Sequence, residues 1–348
     1  MHAESRPGTS RVSVVIPAYN AAATLAEALH SVLAQTVPPL EIIVINDGST
    51  DDTAQVLRQF GAKVKSREQK NGGLAAARHA GIAMAQGELI ALFDADDICE
   101  PDRLALQQAF MEAFPELLLS SSAFSAFNDK GPLNEEFAQS YYAAFKRYPR
   151  GLDDIYAIRE ELRIAAGLSS RTRITTYRGP VYEKLVLGNF IHPPTVMFRR
   201  RVLDSVGNYD PAIGPMCDWD WIMQVAKKGD FGYIAHALLR YRVSATQRSA
   251  ERYRFRRSVG NIDILNRVRE RDPEVYRRYK KQFENKHGDF CLDAADALCE
   301  QDRIKSFKWL FRSVFQHAYL NRQSVLVLAK IIMPARLRNT LRRIRNHH

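Results

Sequence analysis

The stretch ELIALFDADD, residues 88–97, decides the fold. After Glu88 its first part runs Leu-Ile-Ala-Leu-Phe without a polar interruption, the pattern of a strand buried on both faces. Asp94, Asp96 and Asp97 follow at once and so stand at the carboxyl end of that strand. Ligands of open α/β sheets bind at this edge. Two carboxylates one residue apart there can converge on a hard divalent cation, Mn²⁺ or Mg²⁺, which would join protein oxygens to diphosphate oxygens. The competing reading is an acidic loop capping a helix that Pro101 opens at its preferred first position.

Upstream, strands and helices alternate. VSVVIP (12–17) and EIIVI (41–45) are buried-strand runs, separated by an amphipathic helix with Leu25, Ala28, Leu29, Val32 and Leu33 on one face. At DGST (47–50), Ser49 or Thr50 is a natural N-cap for a helix through Leu57. A short strand near 63–66, a turn at Asn71-Gly72-Gly73 and a helix stopped by Gly87 complete the series. Apolar strands alternating with helices predict a mainly parallel, Rossmann-like sheet covered on both faces.

Downstream, residues 130–190 break the rhythm; they are polar, Arg-rich and aromatic, with Tyr141, Tyr142, Tyr148, Tyr156, Tyr177 and Tyr182. Strand and helix patterns resume at PTVMFR (194–199), Trp219–Ala226 and Phe231–Ile234. From about Arg248 the pattern is helical and basic. The expected organisation is an α/β domain over 1–248, with 130–190 as an insertion, and a helical basic region over 249–348.

Charge follows the same division. Residues 1–248 hold 27 Lys and Arg against 28 Asp and Glu, a net −1; residues 249–348 hold 23 against 11, a net +12. A neutral domain with a basic extension implies that the extension has its own anionic partner. In Ala335–Arg345, Leu337, Leu341 and Ile344 recur at helical spacing among Arg336, Arg338, Arg342, Arg343 and Arg345. That is the pattern of a helix lying on an anionic membrane surface. No nucleic-acid-binding motif is present in the extension, and no nucleic-acid partner is expected. No run approaches the roughly 20 apolar residues of a membrane span, and the polar Met1–Arg11 has no apolar signal core. Cys99, Cys217, Cys291 and Cys299 lack paired spacing and read as reduced thiols. A cytoplasmic protein, peripheral at the cytoplasmic membrane face, is expected.

Further polar residues stand at the ends of predicted elements. Asp47 follows a buried strand, where its carboxylate could accept from a nucleobase N–H or serve as a turn aspartate. Arg78 could reach a diphosphate or lie on a solvated helix face. Asp218 and Asp220 bracket Trp219 at a helix start, as caps or as a general base.

VSVVIPAYN (12–20), NDGSTDDT (46–53), LAAARHAG (74–81), DADD (94–97) and CDWDWIMQVAKKG (217–229) occur in an order and spacing that resembles the inverting family-2 glycosyltransferases, over about residues 11–245. The resemblance implies a GT-A fold and transfer of a sugar from a nucleotide diphosphate, a UDP-sugar, to an acceptor hydroxyl of a saccharide or lipid-linked acceptor, as in cell-surface polysaccharide or glycolipid synthesis. It implies that Pro17, Tyr19 and Asn20 line the nucleotide pocket and that Asp47 binds the base. The same resemblance implies that Asp94 lies near ribose and diphosphate, that Asp96 holds the metal and that Asp97 is an extra ligand. It implies further that Asp218 is the catalytic base, that His192, Arg240 and Arg242 contact acceptor or diphosphate, and that the insertion falls on the acceptor side.

The chain departs from the pattern at Asn46, for a frequent aspartate, at His79, for an asparagine, and at Cys217, for the usual glutamate; the last could make Asp220 share the role of base. Two other readings are a non-catalytic sugar-nucleotide or polysaccharide-binding protein of the same fold and a nucleotidyltransferase. The intact Asp94, Asp96 and Asp218 speak against the first. The second would want a basic Gly-rich loop after the first strand, where this chain has Ala18-Tyr19-Asn20-Ala21.

Overall fold

The apolar runs become the inner strands of one sheet. A computed structural model describes residues 11–214, 216–244 and 251–333, which divide into two compact units between Ser244 and Ala245. In the first unit the strands are β1 (Val12–Ala18), β2 (Glu41–Asn46), β3 (Lys65–Glu68), β4 (Leu89–Leu92), β5 (Ile98–Cys99), β6 (Leu119–Asn128), β7 (Gly131–Asn134), β8 (Ile158–Arg163), β9 (Arg173–Gly179), β10 (Met197–Arg199) and β11 (Phe231–Arg242). The sheet order is β3-β2-β1-β4-β10-β6-β11-β9-β8, with β5 pairing β11 and β7 pairing β6. Strands β3, β2, β1, β4, β6, β11 and β8 run one way; β10 and β9 are reversed. The fold is thus α/β of GT-A type with a mostly parallel sheet. Strands β2 and β4 are buried throughout, whereas edge strand β3, KSRE, is exposed and charged, which discourages pairing with another chain.

Helices α1 (Leu25–Leu33), α2 (Thr53–Phe60), α3 (Leu74–Met84), α4 (Arg103–Ala113) and α5 (Cys217–Ala226) connect or follow these strands. Three expected boundaries shift. Helix α2 starts at Thr53 because Ser49 and Thr50 are engaged elsewhere, with Asn20. Helix α3 ends at Met84, and Gly87 instead lies against β1, where a Cβ would stand 2.6 Å from the Arg11 carbonyl oxygen. Helix α4 starts at Arg103, two residues beyond Pro101.

Residues 130–190 differ most from expectation. They supply β7, β8 and β9, and β8–β9 is a hairpin in register from Ile158↔Arg178 to Arg163↔Arg173 that extends the sheet beyond β11. The β8 sequence, IREELR, is exposed or half-buried along its length. An edge strand with little to bury has no apolar run to announce it. Strand β6, LSSSAFSAFN, is hidden for another reason: its buried Ser120, Ser121 and Ser122 give it a polar reading.

The second unit is helical among its described residues: α6 (Arg254–Arg271), α7 (Pro273–Arg278), α8 (Lys280–Leu298), α9 (Arg303–Phe311) and α10 (Arg322–Ile332). Side-chain caps start three of them, Asp272 at α7, Asp302 at α9 and Asn321 at α10. Leu292, Ala295 and Cys299 of the α8 region pack with Leu310, Val327 and Ile331 in one core. The amphipathic pattern at Ala335–Arg345 lies outside the described residues. No described helix is long and apolar enough to cross a membrane. All four cysteines are buried, and none is in a disulfide among the described residues.

Candidate active site

Parallel pairing brings the carboxyl ends of β2, β1 and β4 side by side, with Ala18 opposite Asn46 and Val15 opposite Leu92. Loops leaving these ends tie to one another. Asn20 takes a left-handed φ of 49°, which asparagine tolerates. Its Oδ1 accepts from Thr50 N–H at 2.8 Å, and its own N–H donates to Ser49 Oγ at 3.0 Å. Pro17 is half-buried in β1, and Tyr19 is half-exposed just beyond it. Asp47 is buried; Oδ1 accepts from Gln69 Nε2 (2.8 Å) and Gly72 N–H (2.9 Å), and Oδ2 from Gly73 N–H (2.8 Å). Its observed work is to hold the loop that opens α3. Gly48, at φ 70°, permits this approach: a Cβ there would stand 2.7 Å from Asn71 N.

Asp94, Asp96 and Asp97 each offer an oxygen, and the three oxygens lie within 4.8 Å of one another. Octahedral coordination at metal–oxygen distances near 2.1 Å separates ligand oxygens by about 3 to 4.2 Å, so a closing of the set by a few tenths of an ångström at most would let it hold Mg²⁺ or Mn²⁺. Asp97 is fully buried. Its Oδ1 accepts from Arg242 N–H at 3.0 Å, and Oδ2 has no hydrogen-bond partner among the described residues. Burial first, then the charges of Asp96 and Asp94, push the Asp97 carboxyl well above the usual carboxylate range. An orphaned buried carboxylate oxygen is what a bound cation would satisfy.

Arg78 occupies the centre. Helix α3 carries it into the interior, where it is buried rather than solvated: Nη2 donates to Asp94 Oδ1 at 2.8 Å and Nη1 to Asp218 Oδ1. Burial opposes its charge, but the Asp94 carboxylate overcomes this, and its pKa is raised. One guanidinium therefore joins the carboxylate loop after β4 to the start of α5. Asp220 points elsewhere: it is buried and accepts from Gln224 Nε2 at 2.9 Å, one turn along the same helix.

The two strand arginines part company. Arg242 reaches the carboxylate loop, yet its Nε donates to the Asp96 carbonyl (2.9 Å), its Nη2 pairs with Glu27, and its guanidinium lies over Phe127. It fastens the loop. Arg240 is half-exposed, pairs with Glu100 at 3.2 Å, and is not brought to Asp94 or Asp218.

Three more residues stand near this centre: His192, named only through the resemblance, and Tyr209 and Arg103, which no motif marks. His192 is buried, stacked on Phe124 at 4.2 Å and linked through Nδ1 to the Tyr142 hydroxyl at 3.1 Å. Burial first, then the Arg78 and Arg103 charges against that of Asp94, leaves it pushed down to about 3; it is neutral at physiological pH. Tyr209 lies 5.9 Å from the Arg78 guanidinium, and Arg103 is buried under the loop, donating to the Leu92 carbonyl at 3.0 Å. Among described residues, buried side-chain atoms lacking a partner include Arg78 Nε, Asp97 Oδ2, His192 Nε2 and the Tyr209 hydroxyl. Such a gathering marks a ligand site rather than a packed core.

The sequence model of glycosyl transferase family 2 matches residues 13–207, more than half of the chain. The chain belongs to this family. An uncharacterized glycosyltransferase of Rickettsia felis is 36% identical over 136 residues, which are 38% of this chain and 22% of that protein. The chain thus spans only about a fifth of that relative. Among solved structures, the mannosyltransferase PcManGT from Pyrobaculum calidifontis, in complex with GDP-Man and Mn²⁺, aligns with a TM-score of 0.53 at 19% identity, covering 92% of this chain and 78% of that one. TarS 1-349 of S. aureus in complex with UDP-GlcNAc aligns with a TM-score of 0.50 at 16% identity, covering 90% and 93%. At such identities the two structures speak for the shared fold.

Proposed function

We propose that the chain transfers a sugar from a nucleoside diphosphate, most simply a UDP-sugar, to an acceptor hydroxyl with inversion and with the help of Mn²⁺ or Mg²⁺. Arg78 carries the reading, because it holds Asp94 at the donor edge and Asp218 across from it through one guanidinium. Asp218 Oδ1 is engaged by Arg78, so Oδ2 takes the acceptor proton. The acceptor oxygen forms its bond to the anomeric carbon as the bond from that carbon to the diphosphate breaks. A cation held by Asp94, Asp96 and Asp97 would supply positive charge to the departing diphosphate. Arg78, locked by its two partners, keeps base and donor edge in register. Pro17, Tyr19 and Asn20 form the nucleotide wall, and Asp47 receives a base N–H through Oδ2 while its other contacts hold the loop. The acceptor is a saccharide, lipid-linked in a cell-surface polysaccharide or glycolipid pathway, met at the cytoplasmic membrane face. PcManGT with GDP-Man and Mn²⁺ and TarS with UDP-GlcNAc support donors of this class.

The test is incubation with a panel of nucleotide sugars and Mn²⁺, with products identified by mass spectrometry and their anomeric configuration by NMR. A product of inverted configuration that disappears with chelator is expected. Retention, or turnover indifferent to chelator, would overturn the proposed mechanism.

A further inference from the structure

We propose that the outer faces of α9 and α10 form a docking surface for an anionic membrane. Helix α9 continues as a π-helical turn, Arg312–Gln316, and has a buried inner side and an exposed outer side. The inner side, Ser306, Leu310 and Ser313, is buried. The outer side is a stripe of Ile304, Phe307, Phe311 and Phe315 at successive spacings of three, four and four residues, and all four are exposed, Ile304 by 73% and Phe315 by 72%. Phe311 and Phe315 stack on each other at 4.6 Å. Helix α10 repeats the device: Ser324, Val327 and Ile331 are buried, while Val325, Leu328 and Ile332 are exposed at spacings of three and four. Leu310, Val327 and Ile331 meet in the same core with Leu292 and Ala295 of α8. Both outer stripes therefore face away from that core.

Seven large apolar side chains turned to water on two adjoining helices need a partner. The charges beside them say which. Lys305, Lys308 and Arg312 are exposed on one flank of the α9 stripe, Lys305 pairing with Asp302 at 3.1 Å; Arg303 is exposed on the other flank, and Arg322 and Lys330 lie on α10, Lys330 pairing with Asp296 at 2.6 Å. No acidic residue follows Asp302 in the chain. Pairing this face with a second copy would bring like charges together, whereas an acyl layer beneath anionic headgroups receives both the apolar stripes and their cationic margins. An in-plane helix with Phe on one side and Lys and Arg beside it has this composition.

The experiment uses the full chain and vesicles of phosphatidylcholine with or without phosphatidylglycerol, read by flotation; it involves no sugar transfer and so stands apart from the proposed activity. The chain is expected to float with the anionic vesicles, less so as salt is raised. Combined Phe307→Ser, Phe311→Ser and Phe315→Ser should weaken binding by about tenfold or more with an unchanged circular dichroism spectrum. Phe315→Ser alone, at the most exposed of the three, should weaken it in part if the triple variant misfolds. Lys305→Gln with Lys308→Gln should reduce binding to anionic vesicles. Equal flotation of the Phe variants and the parent would overturn the assignment. So would no flotation of the parent, or a parent dimer that the Phe variants convert to monomer without any vesicle binding.

Discussion

Arg78 donates to two carboxylates with different proposed duties, and this separates Asp218 from Asp220. The two acids are two residues apart on α5 and so point to different sides of it. Asp218→Asn keeps shape and removes the proton acceptor, so kcat should fall by about 10²-fold or more while donor affinity barely changes. Asp220→Asn keeps its place beside Gln224 and should lower kcat far less. Single-turnover rates of the two variants decide between them, and the reverse order would move the base to Asp220. His192 gives a pH test. Its folded value is pushed down to about 3, whereas the unfolded chain takes up the proton near 6.5. For a depressed value the contribution is whole above pH 6.5 and is lost as pH falls towards 3. By pH 4.5 the loss should reach roughly 2–3 kcal/mol. Urea titrations from pH 7 to 4.5 should therefore show a shallower decline for His192→Gln than for the parent; parallel declines would show that His192 does not titrate this way.

Helix α3 holds Arg78 in place because Gly81, one turn on, lets it lie close to the sheet. A Cβ at Gly81 would stand 2.5 Å from Val15 Cγ1 and 3.3 Å from Ile45 Cγ1. Alanine would gain up to about 1 kcal/mol of helix propensity. Overpacking against a buried, β-branched valine costs about 1–3 kcal/mol. The second effect should win, so Gly81→Ala should lower the urea midpoint, and kcat should fall as Arg78 moves with the helix. A variant as stable and active as the parent would show that α3 can lift without consequence. The same elements explain what could be read beforehand. Strands β1, β2 and β4 were legible because they bury apolar runs on both faces, and the carboxylate edge followed from where β4 ends. Strands β6 and β8 were not, because buried serines and exposed charges carry no such pattern. The site was legible where residues lie at strand ends. Arg78 and His192 were named as candidates, but the inward turn of Arg78 and the contacts of His192 with Phe124 and Tyr142 come from tertiary packing, which leaves no pattern in the sequence.

At the scale of the whole molecule, a close acidic set should cost stability until a cation meets it. Asp94, Asp96 and Asp97 converge, Asp97 is buried, and its Oδ2 lacks a partner among the described residues. Its folded value lies well above the ordinary one, from burial and then from its two acidic neighbours. For a carboxyl raised in this way, stability is present at low pH and is lost as pH rises through the folded value. At neutral pH without metal the protein therefore carries this cost in its global stability. Asp97→Asn keeps the oxygen that accepts the Arg242 N–H and removes the charge, so the metal-free variant should be more stable than the parent. Added Mn²⁺ binds the folded parent and should stabilise it by about 2.7 kcal/mol at a hundred times its Kd. The variant, with one ligand weakened, should gain less. The order of the two melting temperatures should thus narrow or reverse on titration with Mn²⁺, read by differential scanning calorimetry. A metal-free variant less stable than the parent would show that the buried carboxylate is not a cost. A parent whose melting temperature ignores Mn²⁺ and Mg²⁺ would remove the cation from the site.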